Sequence, residues 1–141
     1  MPVAPGAKGQ PPTPPQLAFI RSPVWDEAGE ETQAAFLELK TYLGHHAAEV
    51  ELADIFSGAV ECHRTIMLSD LANSYAGLYS RGKAKISAEL CSLIEKGQSY
   101  PATDYIAAIR KIPTFNEALK EIFDSYDAVL TPATTGEDGI I

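Results

Sequence analysis

Apolar residues recur along this chain at two spacings, which predict an alternation of short strands and long helices. A continuous apolar run over 17–21, bounded by prolines, predicts a buried strand. Within 30–43 the apolar positions recur every three or four residues, as on one face of a helix, and Gly44 is expected to end that helix in a left-handed cap. The segment 49–52 alternates polar and apolar residues, which predicts a second strand.

The second half of the chain predicts three helices and a last strand. From Asp54, a candidate N-cap, two neighbouring apolar stripes run to about residue 79 and predict a long helix that packs on two sides. A shorter helix over 86–97 is expected to end at its glycine, Gly97.

The clearest helical spacing follows, over 105–126, and it leads into an apolar segment over 127–130 that predicts a third strand. Pro113 lies inside the helical pattern, so a bend or two helices end to end are expected there. Pro132 cannot donate to a strand ladder and is expected to end the third strand.

These elements give the order β-α-β-α-α-α-β, which predicts an α/β fold with a short mixed sheet flanked by helices. Residues 1–16 carry six prolines and two glycines, so we expect a flexible arm or linker there. A PxxP spacing in 11–15 would also suit an SH3-type domain. The folded domain is expected over 17–136, followed by a tail over 137–141.

Charge and composition disfavour several classes of function and location. The net charge is −8, which disfavours nucleic acid as a partner. No run of about 18 apolar residues predicts a membrane span, and the N-terminus does not have the pattern of a secretory signal. The one basic cluster, Arg81 with Lys83 and Lys85, is expected to be an exposed loop between helices.

The cysteines and histidines indicate no special chemistry. Cys62 and Cys91 fall in helical patterns without a CxxC spacing, which favours reduced thiols in a cytoplasmic protein, although a disulfide between helices stays open. The His45-His46 pair has no carboxylate or thiol at a metal-ligand offset, so no metal site is predicted. No cofactor site is predicted either.

The end of the third strand carries a family resemblance. The succession of a long helix, Tyr126-Asp127, a short apolar strand and Thr131-Pro132 resembles the C-terminal half of amidase-signature hydrolases. The order of elements over about 15–136 is similar to that half as well, which implies a partial amidase-like domain. The resemblance implies hydrolysis of the C–N bond of a small-molecule amide in the intact enzyme, by a nucleophilic serine, a bridging serine and a lysine.

None of those three catalytic residues can be carried over to this chain. In the family the serines belong to a glycine- and serine-rich stretch, and the lysine lies upstream of it. This sequence has no such stretch. The seven lysines lie in linker, loop or helix contexts without a partner serine motif. We therefore expect no catalytic residue here and no activity from the chain alone, and whether it counts as an enzyme stays open.

The resemblance does imply residues that line the substrate site. In the family the loop after the Thr-Pro strand lies near the acyl site, which makes Thr131, Pro132 and Thr134 candidates. His63 and Met67, on the long helix, are candidates to border the substrate channel. The alternatives are a plain strand end at Thr-Pro and an ordinary helix histidine at His63. Asp127 is expected to cap or pair locally, or to be a turn residue.

Two other functions stay open. A non-catalytic interaction or oligomerisation module would associate with itself or with a missing N-terminal half, through strand edges and apolar helix faces. An unrelated small α/β domain is the other alternative.

Overall fold

A computed structural model describes residues 14–133. Its sheet has three strands, β1 (Leu17–Phe19), β2 (Ala47–Glu49) and β3 (Ala128–Leu130), in the order β2-β1-β3. Both strand pairs are parallel, so the expectation of a mixed sheet is wrong for these strands. The physical reason is that each return to the sheet passes through at least one helix, and such long crossovers join parallel strands.

The second strand lies earlier than the alternating segment 49–52 predicts. Leu17 pairs with Ala47 and Phe19 with Glu49, and the ladder closes when the Val50 amide donates to the Phe19 carbonyl at 2.9 Å. The register is set by the buried central strand, and it selects two alanines that carry no alternating pattern. The residues from Val50 onward leave the sheet.

Asp127 fixes the pairing of β1 with β3. Its amide donates to the Gln16 carbonyl at 2.8 Å, and its carboxylate accepts a 2.8 Å hydrogen bond from the Gln16 amide. At the other end of β3, the Ile20 amide donates to the Leu130 carbonyl at 3.0 Å. Asp127 therefore pairs across the sheet with Gln16, which is 111 residues away in the sequence, and not locally as expected.

The described residues form four α-helices: α1 (Glu30–Leu43), α2 (Ala59–Gly82), α3 (Ala88–Gln98) and α4 (Ala102–Phe123). Gly44 follows α1 with φ 55° and ψ −125°, so its positive φ was expected but its conformation is not the left-handed helical one. Its amide donates to the carbonyls of Lys40 and Thr41.

Asp54 does not cap α2, in contrast to the prediction. It begins a 3-10 helix, Asp54–Gly58, and α2 starts only at Ala59, where no side chain caps the helix. Pro113 lies inside a single helix, α4, so the alternative of two helices end to end is wrong.

Gly97 is a packing residue and does not end α3, which continues to Gln98. A Cβ atom added at Gly97 would lie 2.0 Å from the Leu68 carbonyl oxygen and 2.8 Å from the Ala72 Cβ. The two helices α2 and α3 can therefore approach this closely only because position 97 has no side chain. The same two helices also bury Leu68 on α2 and Cys91 and Ile94 on α3.

The sheet has its own apolar core. Ala18, Phe19 and Ile20 are buried, and the Phe19 ring meets the Trp25 ring edge to face at 5.7 Å between centroids. Phe56, after β2, stacks on Phe115 of α4 at 5.6 Å, which ties the segment that leaves the sheet to the last helix.

Candidate functional site

Parallel strands place their carboxyl ends at one edge of the sheet, and ligands of open α/β sheets bind outside that edge. In this order the chain passes from β1 to β2 on one side and then to β3 on the other side of β1. A cleft of about 730 Å³ opens beside the segments that follow β1 and β2. Its walls are Arg21 and Pro23 after β1, and residues 49–54, Phe56 and Ser57 from the end of β2.

Glu49 is the charged centre of this cleft. Its carboxylate pairs with the Arg21 guanidinium at 3.0 Å from Nε to Oε1, and its other oxygen accepts a hydrogen bond from the Lys40 ammonium. Lys40 extends from α1, so the carboxylate joins that helix to the ends of β1 and β2. The hydrogen bond from Lys40, with the charge of Arg21, lowers the pKa of Glu49.

Aromatic rings support both cations. The Arg21 guanidinium lies over the Trp25 ring, 5.7 Å from its centroid, and the Lys40 ammonium lies 5.4 Å from the centroid of Phe19. Because cations are attracted to the faces of such rings, the buried pair Phe19 and Trp25 positions both partners of Glu49. The apolar core of the sheet thus sets the geometry of the charged cleft.

The remaining wall of the cleft is acidic. Glu51 and Asp54 also line it, so three carboxylates meet two cations, the Arg21 guanidinium and the Lys40 ammonium that reaches Glu49. Such a surface favours a ligand with a cationic or hydrogen-bond-donating group. Ser57 is the only hydroxyl residue in the lining, and no histidine, lysine or cysteine of the described chain lines the cleft beside it as a base or second nucleophile. The lining therefore offers charged and hydrogen-bonding groups to a ligand.

The residues predicted to line a substrate site do not line this cleft. Thr131 and Pro132 follow β3 at the same edge of the sheet and are half-buried. The Thr131 hydroxyl oxygen is buried and has no hydrogen-bond partner among residues 14–133. Thr134 lies outside the described residues, as do the predicted tail and all of the predicted arm except 14–16.

His63 and Met67 lie one helical turn apart on α2, both at exposed positions. Neither is a wall of the cleft, so the structure does not gather the predicted set into one pocket there. Sequence reasoning missed Arg21, Lys40 and Glu49. The signal for two of them was their position, because Arg21 and Glu49 stand just at or after the carboxyl ends of two parallel strands.

The two cysteines are free and buried, and the alternative of a disulfide between them is wrong in this structure. The Cys62 thiol donates to the Ala108 carbonyl at 3.2 Å, which links α2 to α4. Over residues 14–133, no group of three or more His, Cys, Asp or Glu side chains is arranged to hold a metal ion. None of the helices in that range has the length and apolar character needed to cross a bilayer.

Comparison with known proteins finds no protein family, no curated protein and no solved structure that matches this chain. What can be said about its function therefore follows from its own residues and geometry.

Proposed function

We propose that this chain is the C-terminal segment of an amidase-signature hydrolase, supplying sheet and substrate-lining residues but none of the groups that cleave the bond. The observation that carries the proposal is the end of β3, where Tyr126-Asp127 and Thr131-Pro132 bracket a strand of a parallel sheet. Thr131 stands directly after that strand, and its buried hydroxyl oxygen has no hydrogen-bond partner among residues 14–133. A buried polar group of this kind calls for a partner from elsewhere, which a substrate or the missing half would supply.

The state of the sheet also supports a larger parent protein. Within residues 14–133, β2 and β3 each pair with β1 alone, which leaves the outer edge of both strands open. Open edges are normally covered or extended by further strands. In the proposed enzyme, the missing half would supply those strands and the Ser-Ser-Lys residues. The substrate would be a small-molecule amide, and two free, buried cysteines suit the cytoplasm.

Two measurements test this proposal. The purified chain is expected to hydrolyse neither aliphatic nor aryl amides, and turnover that survives repurification would overturn the assignment of no catalytic residue. Sequencing the coding DNA on both sides of the codons for Met1 and Ile141 tests the parentage. Upstream of Met1, the coding DNA is expected to encode a glycine- and serine-rich stretch and, before it, a lysine. An unrelated flanking sequence contradicts the proposal.

The second candidate is a non-catalytic interaction module. It is favoured by two helices that contribute little to the core: α1 has no buried residue and α4 has one, Ala108. On α4, four apolar side chains are exposed, among them Ile106 at 47% and Phe123 at 50%. Sedimentation velocity at low micromolar concentration tests this candidate. A dimer or larger species is expected from it, and a compact monomer counts against it.

A further inference from the structure

A groove lies where α2 ends and α3 begins, away from the cleft at the sheet. Its volume is about 310 Å³, and its walls come from the last two turns of α2, the following turn and the start of α3. Four apolar side chains and two basic ones line it. The apolar ones are Tyr75, Leu78, Ile86 and Leu90, and the basic ones are Arg81 and Lys85. We call it the α2–α3 groove.

The apolar walls of the α2–α3 groove are two ridges. Tyr75 and Leu78 are three residues apart on α2, so they share one face of that helix, and they are 37% and 55% exposed. Ile86 and Leu90 are half-buried on the opposite wall. An exposed leucine beside an exposed tyrosine, facing an apolar wall, leaves apolar area that a partner side chain would cover.

The groove also holds positive charge that no residue of 14–133 neutralises through an ion pair. Lys83 is paired with Glu95 at 2.6 Å, but no acidic partner within 4.0 Å is found for Arg81 or Lys85 among residues 14–133. The Arg81 guanidinium lies beside Gly77, one turn earlier on α2. A Cβ atom added at Gly77 would be 3.5 Å from the Arg81 Nη1 atom. The chain carries a net charge of −8, so two unpaired cations at one apolar groove are a local reversal of its surface.

We propose that the α2–α3 groove docks a short, acidic amphipathic helix of a partner protein. Its apolar side chains would pack between the ridge of Tyr75 and Leu78 and the wall of Ile86 and Leu90. Its carboxylates would pair with Arg81 and Lys85, which stand on two different elements and so suit two separate acidic residues. This is the helix-in-groove mode of peptide recognition, with charge complementarity selecting the partner.

The charges argue against other occupants. A fatty-acid anion carries one negative charge against the two positive charges of Arg81 and Lys85. An extended polyanion such as nucleic acid would meet the remaining acidic surface. The chain's own helices are a third possibility, which the oligomeric state distinguishes.

The test is a fluorescence anisotropy titration with a labelled synthetic peptide of about four helical turns. The peptide has leucine at every third or fourth position and glutamate beside each leucine; a scrambled peptide of the same composition is the first control. We expect saturable binding of the amphipathic peptide at 50 mM NaCl that weakens at 500 mM, because exposed charge pairs are screened over about 10 Å at 0.1 M salt.

Variants locate the binding. The double variant R81E/K85E is expected to bind about ten-fold more weakly, and Leu78→Ser about five-fold more weakly. Matched controls make changes of the same kind outside the groove: R110E/K111E, at exposed positions of α4, and Ile55→Ser, at an exposed position before α2, are expected to leave binding unchanged. Should R81E/K85E lose helical circular dichroism, R81Q/K85Q removes the same charges without adding acid at the end of α2.

Three results would overturn the proposal. One is the absence of saturable peptide binding, or equal binding of the scrambled peptide. Another is a loss of binding in the control variants as large as that in the groove variants. The third is a different occupant: binding of sodium dodecanoate but not of the peptide, or self-association of the chain that Leu78→Ser abolishes in sedimentation velocity.

Discussion

The helices α2, α3 and α4 are held together differently from the sheet and α1. Between α2 and α3 the contact is steric, with Gly97 against the Leu68 carbonyl and Ile94 fully buried. At the sheet, Ala18 and Phe19 of the central strand are at 0% exposure but Leu17 is half-buried, and α1 buries no residue at all. Lys40 connects α1 to the sheet through an ion pair with Glu49 and a cation–π contact with the Phe19 ring.

This difference teaches what each region tolerates. A region held by close apolar packing responds strongly to a change of shape, because protein interiors are close-packed. A region whose outer layer is held by exposed ion pairs responds to charge and salt, and by less, since exposed pairs contribute little each. The sheet end is therefore the part of the molecule that further strands or a partner would stabilise most.

The largest expected effect is at the contact between α2 and α3. Gly97→Ala puts a Cβ atom against backbone that cannot move without separating the helices, and we expect a loss of about 3 kcal/mol in the free energy of unfolding. Urea unfolding followed by circular dichroism measures it. Gly77→Ala is the matched control, because its Cβ meets only the Arg81 side chain at ordinary distances. It is expected to raise stability by roughly 0.5–1 kcal/mol. A similar response at both glycines would remove the distinction between the two regions.

The next effect is at the start of the sheet. Asp127→Ala removes the carboxylate that accepts from the Gln16 amide, and we expect a loss of about 1 kcal/mol. Hydrogen exchange should quicken first at amides of β1 and β3, with α3 unchanged, since local opening precedes global unfolding. Asp124→Ala, which removes only a pair with Lys120 at the surface, is the control. Uniform loss of protection in both regions would mean that the sheet and the helices open as one unit.

The sequence predicts β1, β3 and most helix bounds to within a few residues, and it fails at β2 and at the start of α2, for a physical reason. Spacing of three and four residues is local information, so α1, α3 and α4 begin and end within a few residues of the predicted bounds. The position of β2 depends on its partner, Phe19, which is about 30 residues away, and two alanines show no strand pattern. The role of Gly97 depends on the Leu68 backbone, which no local pattern reveals.

The site shows the same division. Arg21 and Glu49 can be placed at a common edge once the strands are known to be parallel, but the expectation of a mixed sheet hid that edge. Lys40 belongs to the site because of its reach from α1 to Glu49, and its sequence position gives no hint of it. The lining roles of Thr131, Pro132, His63 and Met67 rest on the resemblance and stay predictions.

A smaller effect compares the ion pairs of the two regions through pH. Hydrogen bonds from Lys40 lower the pKa of Glu49 at the sheet, and hydrogen bonds from Lys83 and Tyr79 lower that of Glu95 between α2 and α3. A lowered folded-state pKa means that each carboxylate stabilises the fold above its unfolded pKa of about 4.3, and that this contribution disappears as pH falls through the folded-state value.

Glu49→Gln and Glu95→Gln should therefore lower the urea midpoint at pH 7, and the difference from the parent protein should shrink as the pH is lowered below about 4.3. The difference should shrink in 1 M NaCl, because both carboxylates are exposed to solvent. Because α1 has no buried residue, Glu49→Gln is expected to speed hydrogen exchange in α1, which Lys40 links to Glu49. Glu95→Gln is expected to have a smaller effect on hydrogen exchange in α3, which has buried residues. The reverse order would contradict the view that charge matters more at the sheet end.

The smallest effect concerns the hydroxyl at the end of β3. Thr131→Val keeps the shape of the side chain and removes a buried oxygen that has no partner among residues 14–133, so stability should stay the same or rise by up to about 1 kcal/mol. Ala133→Ser, at an exposed position two residues on, controls for the change of polarity. A loss of more than about 1 kcal/mol in Thr131→Val would mean that the hydroxyl has a partner within the folded chain. It would then be a structural group of the sheet and would no longer support a substrate-lining role.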